Sequence, residues 1–230
     1  MKQSLEEIIR RADELYDERG HPRNVSASVK LMEGAEDAGS YEVAWRLGRA
    51  LFFLGQEAQS KEEARRSHAR AVSFCQRAAR LHARRVEGHF WLGVNLALLA
   101  QIENPLNALR HALSASCSLK RAVQLDPAYH AAGPLRVLAR LQHKLPPLLG
   151  GGTSRARANF ERAINLAPAN TVTRLYFAEM LLEIGDKGHA RAQIEALLNA
   201  PLDSEWAFES ERDRKIARKL LDEMQSNIER

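Results

Sequence analysis

The sequence predicts an all-α fold built from helical hairpins, and three observations lead to that prediction. Aromatic residues make up 6% of the 230 residues, with 13 glycines and 8 prolines. Strand-forming residues and turn signals are therefore too scarce for an all-β protein. Small residues recur at helical spacing along the chain, and helix-capping side chains stand between the segments that carry them.

Three segments share a small-large-small register that belongs to one face of a helix, and a fourth segment with Ala190, Ile194 and Leu197 is a further candidate. They begin at Ala71, Ala115, Ala156 and Ala190. The last interval equals the tetratricopeptide period of about 34 residues. Upstream of each lies a pair whose second residue is small, where the first helix of a repeat packs closely on the second: Leu47-Gly48, Leu92-Gly93, Ala132-Gly133 and Phe177-Ala178. The pattern predicts a tetratricopeptide-like helical-hairpin solenoid.

The first three repeats are elongated compared with an ordinary repeat. Each carries roughly ten extra residues relative to the consensus spacing, at Gln56 to Arg66, Gln101 to Leu113 and Gln142 to Thr153. We expect one domain over residues 1–230, with a leading hairpin (3–38), four repeats (41–84, 86–126, 128–167 and 171–200) and a C-terminal capping helix (204–230). The predicted helices span 3–19, 25–38, 41–55, 61–84, 86–101, 105–125, 128–143, 154–166, 171–184, 187–199 and 206–228.

Local signals fix several of these boundaries. Ser4 and Ser60 each precede a glutamate by three residues, which is the capping-box pattern of a helix start. Asn104-Pro105 places a capping side chain before a first-turn proline. The leading helices are joined by Gly20-His21-Pro22. Near the C-terminus, apolar residues at helical spacing predict the capping helix, and these are Ile216, Leu220, Leu221 and Met224.

Signatures of catalysis and of metal binding are missing from the sequence. It contains no HExxH, GxSxG, GxGxxG or CxxC motif, so we expect no enzyme, no cofactor and no metal site. The run from Gly150 to Ser154 could hold an anion, but it lacks the lysine of a nucleotide-binding loop, and a simple turn is favoured. His82 and His89 have no third ligand. Cys75 and Cys117 are expected to be free thiols in helices.

A basic helix face is a second candidate surface. Seven arginines and no acid occur between Arg65 and Arg85, in a chain of net charge +5. Four of the arginines follow helical spacing, namely Arg66, Arg70, Arg77 and Arg84. Such a stripe could follow a phosphate backbone, but no aromatic residues alternate with it to stack bases. A solvated face is favoured, and no nucleic-acid partner is expected.

The leading candidate site is an apolar inner face formed by the first helices of the first two repeats. Residues close to the glycine of each Leu-Gly pair should line the concave surface, where a partner or a hydrophobic ligand would bind. In the alternative, the insertions fold over this groove and make it core. The predicted groove residues are Trp45, Arg49, Phe52, Phe53, Phe90, Trp91, Val94, Asn95 and Leu98.

The segment Ala131 to Arg140 and the loop Lys144 to Gly151 resemble the T-component family of tripartite ATP-independent periplasmic (TRAP) transporters. That family carries an L-P-x-x-x-G-G loop before the helix of its third repeat, which this sequence matches at Leu145, Pro146, Gly150 and Gly151. The family is similar to the regulators of microtubule dynamics. The resemblance implies an apolar groove or pore, a trimer in some members, a periplasmic substrate-binding protein as partner, and a capacity to hold lipid-like molecules.

The sequence thus leaves two functions open. The first is a non-enzymatic adaptor that docks a protein, such as the substrate-binding subunit of a TRAP-type transporter. The second is a carrier for a hydrophobic, lipid-like or organic-acid ligand. No run of apolar residues reaches the ~20 that a transmembrane helix needs, and acids follow the N-terminus where a secretory signal would be apolar. We expect a cytoplasmic chain as written, or a periplasmic or lipid-anchored one if an export signal has been removed.

Overall fold

The computed structural model describes residues 4–21, 23–35 and 40–226, and within them the only regular structure is helical. The α-helices, in chain order, are α1 (Leu5–Asp17), α2 (Asn24–Gly34), α3 (Tyr41–Gln56), α4 (Lys61–Leu81), α5 (Val86–Ile102), α6 (Pro105–Leu125), α7 (Tyr129–Lys144), α8 (Thr153–Leu166), α9 (Thr171–Glu183), α10 (Lys187–Leu198) and α11 (Ala207–Ser226). Short 3-10 turns occur at Pro147–Leu149 and Ser204–Trp206. The all-α prediction is confirmed.

The predicted helix starts follow from caps that the structure contains. Ser4 Oγ accepts from the Glu7 amide and Ser60 Oγ from the Glu63 amide, each at 3.2 Å. Asn104 Oδ1 accepts from the Asn107 amide at 3.1 Å, and α6 begins at Pro105. Each cap satisfies an amide that the first helical turn leaves unpaired. Residues 36–38 of the predicted second helix and Pro22 of the first turn lie outside the described residues.

Residues Met1–Asp126 form one compact unit. In it α1 pairs with α2, α3 with α4 and α5 with α6, and α4 also packs against α5. The hairpins approach closely at the predicted glycines. A Cβ atom on Gly48 would overlap Cys75 Sγ, and one on Gly93 would lie 2.6 Å from Leu119 Cγ. The sequence pattern therefore located both helix contacts correctly.

Residues Pro127–Arg230 form the second unit. Here α7 pairs with α8 and α9 with α10, and Phe160 and Phe177 stack in the core with ring centroids 5.2 Å apart. The helix α11 packs on α9 and α10 as a cap, with Ala217 and Met224 buried. Ile216, predicted on the buried face, is 37% exposed because Ala217 takes the inward position instead. That single assignment was wrong.

The start of α7 differs from the regular helix predicted from residue 128. His130, Ala131 and Ala132 have positive φ and form one left-handed turn, and the right-handed helix follows from Gly133. Such a turn costs L-residues roughly 1–2 kcal/mol each. Arg136 is buried beneath it and donates to the carbonyls of Ala131 (2.9 Å) and His130 (3.4 Å), which holds the turn in place.

The three insertions have different structures. Most of the residues between Gln56 and Arg66 and between Gln101 and Leu113 lengthen α3, α4, α5 and α6, leaving only short connections. The third insertion contains a true loop, with the 3-10 turn at its centre. None of the described helices is long and apolar enough to cross a membrane. The division of residues 1–230 into a single domain with four repeats stays a prediction.

Candidate functional site

The predicted groove residues all lie on α3 and α5, and most of them are buried. Six have relative exposures below a tenth, and these are Trp45, Phe53, Phe90, Trp91, Val94 and Asn95. The other three, Arg49, Phe52 and Leu98, are partly exposed. The buried members belong to the core of the first unit. Their part in binding stays a prediction.

The aromatic members of this set pack against one another and against α1. Phe90 meets Trp91 edge to face at 4.8 Å between centroids, Phe52 lies 5.3 Å from Trp91, and Tyr16 meets Phe53 at 6.4 Å. These distances are those of aromatic pairs in protein cores. Protein side chains therefore occupy the space in which an apolar ligand was expected. From the leading hairpin, α2 packs against α3 and α1 contributes Tyr16 to the contact with Phe53, an arrangement that sequence reasoning had not predicted.

Arg49 connects this cluster to α1. Its guanidinium lies 3.9 Å from the Tyr16 ring centroid and donates to Asp13 at 2.6 Å. Arg46 also binds Asp13, at 2.9 Å, and stacks over Trp45 at 4.3 Å. Arginine on an aromatic face combines attraction to the ring with the apolar contact of its flat side chain. Arg49, predicted to line the groove, is partly exposed and links α3 to α1, and its part in binding stays a prediction.

Asn95 joins three helices at the base of the predicted groove. Its Nδ2 donates to the carbonyls of Trp91 (2.8 Å) and Gly48 (3.3 Å), and its Oδ1 lies 2.9 Å from Nδ1 of His68. Burial lowers the pKa of His68, which is 2% exposed. The burial of His68 could have been predicted from the sequence. This residue precedes Ala71 by three positions and extends the buried face of α4 by one turn.

The basic face of α4 is partly neutralised. Arg70 pairs with Glu33 of α2, and Arg65 pairs with Glu62 at 3.0 Å. Arg66 and Arg84 are exposed, whereas Arg77 is partly buried. Exposed arginines of this kind form the solvated face that the sequence favoured.

The α7–α8 loop of the second unit is held by backbone hydrogen bonds. The amide of Leu149 donates to the Pro146 carbonyl at 2.9 Å, the Gly151 amide to the same oxygen at 3.1 Å, and the Gly152 amide to the Gln142 carbonyl at 2.8 Å. Gly150 and Gly152 have positive φ, which confirms that the glycines make the turn into α8. A Cβ on Gly151 would overlap the Leu145 carbonyl. The family-loop residues Leu145, Pro146, Gly150 and Gly151 thus fold one tight turn.

This loop presents a large apolar side chain to solvent. Leu148, at its tip, is 98% exposed, and Pro146 and Pro147 beside it are exposed as well. Singly exposed leucines are common on protein surfaces. This one adjoins two exposed prolines on a turn held by four backbone hydrogen bonds, which are the three above and one from the Gly150 amide to the Pro147 carbonyl at 3.0 Å. The sequence motif predicted the loop but not the exposure of Leu148, because a motif does not specify which of its side chains face solvent.

Charged pairs tie this loop to the neighbouring α9–α10 turn. Glu183 binds Lys144 at 2.5 Å and His143 at 2.8 Å, and the hydrogen bonds from Lys144 and then His143 outweigh burial and lower the pKa of Glu183. Asp186 binds Arg157 at 2.7 Å, and this bond with that of His189 lowers the pKa of Asp186 to about 2. The two loops therefore lie side by side. We call residues 144–155 and 183–189 the loop edge.

A small cavity lies between α7 and α9 of the same unit. It measures about 20 Å³ and is lined by side chains that include Arg140, Tyr176 and Glu179. That is room for about one water molecule. At the wall of this cavity, Arg140 stacks over Tyr176 at 3.9 Å and binds Glu179 at 3.0 Å.

The histidines, cysteines and carboxylates in the described part of the chain do not form a metal-binding cluster. No group of three or more His, Cys, Asp or Glu there could hold a metal ion. His89 Nε2 lies 3.1 Å from the Ala83 carbonyl, and His82 packs edge to face on Tyr41. Cys75 and Cys117 are free thiols, as predicted, and Cys75 is buried in the α3–α4 contact.

Comparisons with known proteins place these features in a family. The model of a family described as the TRAP transporter T-component matches residues 45–227. Among solved structures, a thermophilic TPR protein of Thermus thermophilus superposes with a TM-score of 0.67 at 22% identity, over 91% of this chain and 98% of that one. A de novo designed helical repeat protein aligns at 19% identity over 98% and 96% of the two chains, with a TM-score of 0.19. A comparison with curated proteins finds no match.

Proposed function

Because the chain belongs to the TRAP transporter T-component family, we propose that it is a non-enzymatic docking protein that binds the substrate-binding subunit of a TRAP-type transporter. The match over residues 45–227 carries this proposal. The tetratricopeptide-like fold supports it, because stacked helical hairpins present extended surfaces to protein partners. Docking of this kind would take place in the periplasm. The resemblance to the family also implies a trimer in some of its members.

Packing in the first unit favours the adaptor over the ligand carrier. Aromatic side chains fill the predicted groove, so a ligand would have to displace Phe53 or Phe90, which are 8% and 2% exposed. A protein partner needs only the surface. Of the predicted groove residues, Arg49, Phe52 and Leu98 are the ones that a partner could touch without unfolding the core.

Isothermal titration calorimetry tests the proposal. The purified chain is titrated with the substrate-binding protein of a TRAP-type transporter from the same organism, and a substrate-binding protein of an ATP-driven transporter serves as the control. We expect a dissociation constant in the micromolar range or tighter for the first and no heat for the second. No binding to the TRAP protein, with or without its substrate, would refute docking.

Two further measurements address the finer points. Leu98→Asp should weaken binding if the partner contacts the predicted groove, with the helical circular dichroism unchanged; equal affinity would exclude the groove from the interface. Light scattering during size-exclusion chromatography gives the oligomeric state, and fractionation of the producing cells gives the compartment.

A further inference from the structure

We propose that the loop edge is the anchor of the docking interface, with Leu148 inserted into an apolar pocket of the partner protein and carboxylates around that pocket. This inference rests on the proposed docking function and names the surface that performs it. The partner chemistry follows from three properties of the loop edge, which are its shape, its exposed apolar surface and its charge.

The shape is fixed before any partner arrives. Four backbone hydrogen bonds hold the loop, one of them from the Gly150 amide to the Pro147 carbonyl at 3.0 Å, and Pro146 and Pro147 restrict their own backbone torsions. A loop that is already in its bound conformation loses little conformational entropy on binding. Such loops give tighter interfaces than flexible ones of equal composition.

The apolar part is small and projects outward. Leu148 is 98% exposed, the adjacent prolines are exposed, and Ile184 of the neighbouring turn is 39% exposed. Interface anchors are typically single side chains that fill a pocket on the partner, with less important contacts around them. A projecting leucine of this kind fits a concave apolar pocket better than a flat surface.

The loop edge has a net positive charge, with Lys144, Arg155 and Lys187 against Glu183 and Asp186. Both acids of the loop edge, Glu183 and Asp186, are bound to basic or histidine side chains. Arg155 and Lys187 are exposed, and among the described residues neither has a carboxylate within salt-bridge distance. Arg155 donates only to the Gly151 carbonyl, at 3.3 Å. Complementarity therefore calls for Asp or Glu at the rim of the partner's pocket.

Calorimetric titrations with the TRAP substrate-binding protein test this anchor. Full burial of a leucine corresponds to about 10- to 100-fold in affinity, so Leu148→Ala should raise the dissociation constant by about that factor. The matched control is Leu202→Ala, which removes another 75% exposed leucine of the same unit; it should leave affinity unchanged. Arg155→Glu with Lys187→Glu should weaken binding about 10-fold and reduce its dependence on sodium chloride.

The outcomes separate the anchor from the docking function. Binding by the parent chain that is unaffected by Leu148→Ala overturns the anchor and leaves docking intact. No binding by the parent chain overturns both. The chain is also sedimented with vesicles of phosphatidylcholine that contain a quarter phosphatidylglycerol. If this sedimentation requires Leu148 and the TRAP substrate-binding protein does not bind, the loop edge contacts a membrane surface and the proposal is refuted.

Discussion

Substitution of Gly48 by alanine probes the closest contact between α3 and α4. The added Cβ would overlap Cys75 Sγ, whose side chain is fully buried and has little room to move. Overpacking of a dense core costs about 1–3 kcal/mol. Alanine in place of glycine inside a helix recovers up to about 1 kcal/mol. We therefore expect Gly48→Ala to lower the free energy of unfolding by about 1–2 kcal/mol.

A second substitution should reverse this effect. With alanine at position 75, the atoms nearest to a Cβ added at position 48 are Ala71 O and the Cβ of residue 75. Both lie 3.7 Å away, which is ordinary van der Waals contact. Gly48→Ala should then be neutral, or stabilising by up to about 1 kcal/mol. The cost of Gly48→Ala should thus differ by about 2 kcal/mol between the two backgrounds, which is within the usual range for contacting residues.

Urea unfolding followed by circular dichroism measures all four proteins of this cycle. Gly188→Ala is the control for the glycine effect alone, because a Cβ there would meet nothing within 4 Å. An equal cost of Gly48→Ala in both backgrounds would mean that the sulfur is not what limits the approach of α3 to α4, and the packing argument would be wrong.

Three further outcomes are expected. Burial lowers the pKa of His68, so below pH ~6.5 the unfolded chain binds a proton at this histidine more readily than the folded chain does. The free energy of unfolding should therefore fall by up to about 1.4 kcal/mol per pH unit on acidification. Parallel curves of urea midpoint against pH for the parent chain and His68→Gln would contradict this. Phe160→Ala, at a fully buried position, should cost about 3–5 kcal/mol, and a loss under ~1 kcal/mol by the same assay would place the ring outside the core. Asn170→Ala should lower the free energy of unfolding by more than the ~1 kcal/mol of a simple cap, because Asn170 Oδ1 also accepts from buried Arg136 at 3.2 Å. Asn104→Ala, at an exposed cap, is the control and should lose only the contribution of the cap. Equal losses of stability would show that the buried hydrogen bond contributes nothing.

The groove residues show where sequence reasoning reached its limit. The sequence placed Phe90 beside a groove, counted Trp91 with the same aromatic cluster and left open whether this face is core, and both residues are buried. One available signal pointed to burial: α5 is apolar around most of its circumference, which is typical of a helix covered on several sides. The neighbouring α3 is covered by α4, α2 and α5, with Tyr16 of α1 on Phe53, and no local pattern specifies these contacts.

The α7 region shows a second limit. Gly133-Pro134 indicates a helix start, and the right-handed helix does begin there. The left-handed turn at residues 130–132 depends instead on the guanidinium of Arg136, which lies in the following turn of α7. Burial lowers the pKa of Arg136 to about 10, which shows how strongly that charge is removed from water. Backbone propensity alone would not predict this conformation at three residues other than glycine.

The sequence by itself determined the helical hairpins, their boundaries and the two glycine contacts, because caps, periodicity and close-packing residues are local or nearly local signals. It also identified the family through the loop from Leu145 to Gly151. Only the tertiary structure decided which apolar side chains are core and which are surface, since burial depends on elements distant in sequence. It buried Trp45, Phe53, Phe90 and Trp91 of α3 and α5 and left Leu148 exposed, and these observations are the reason why the docking anchor is proposed at the loop edge.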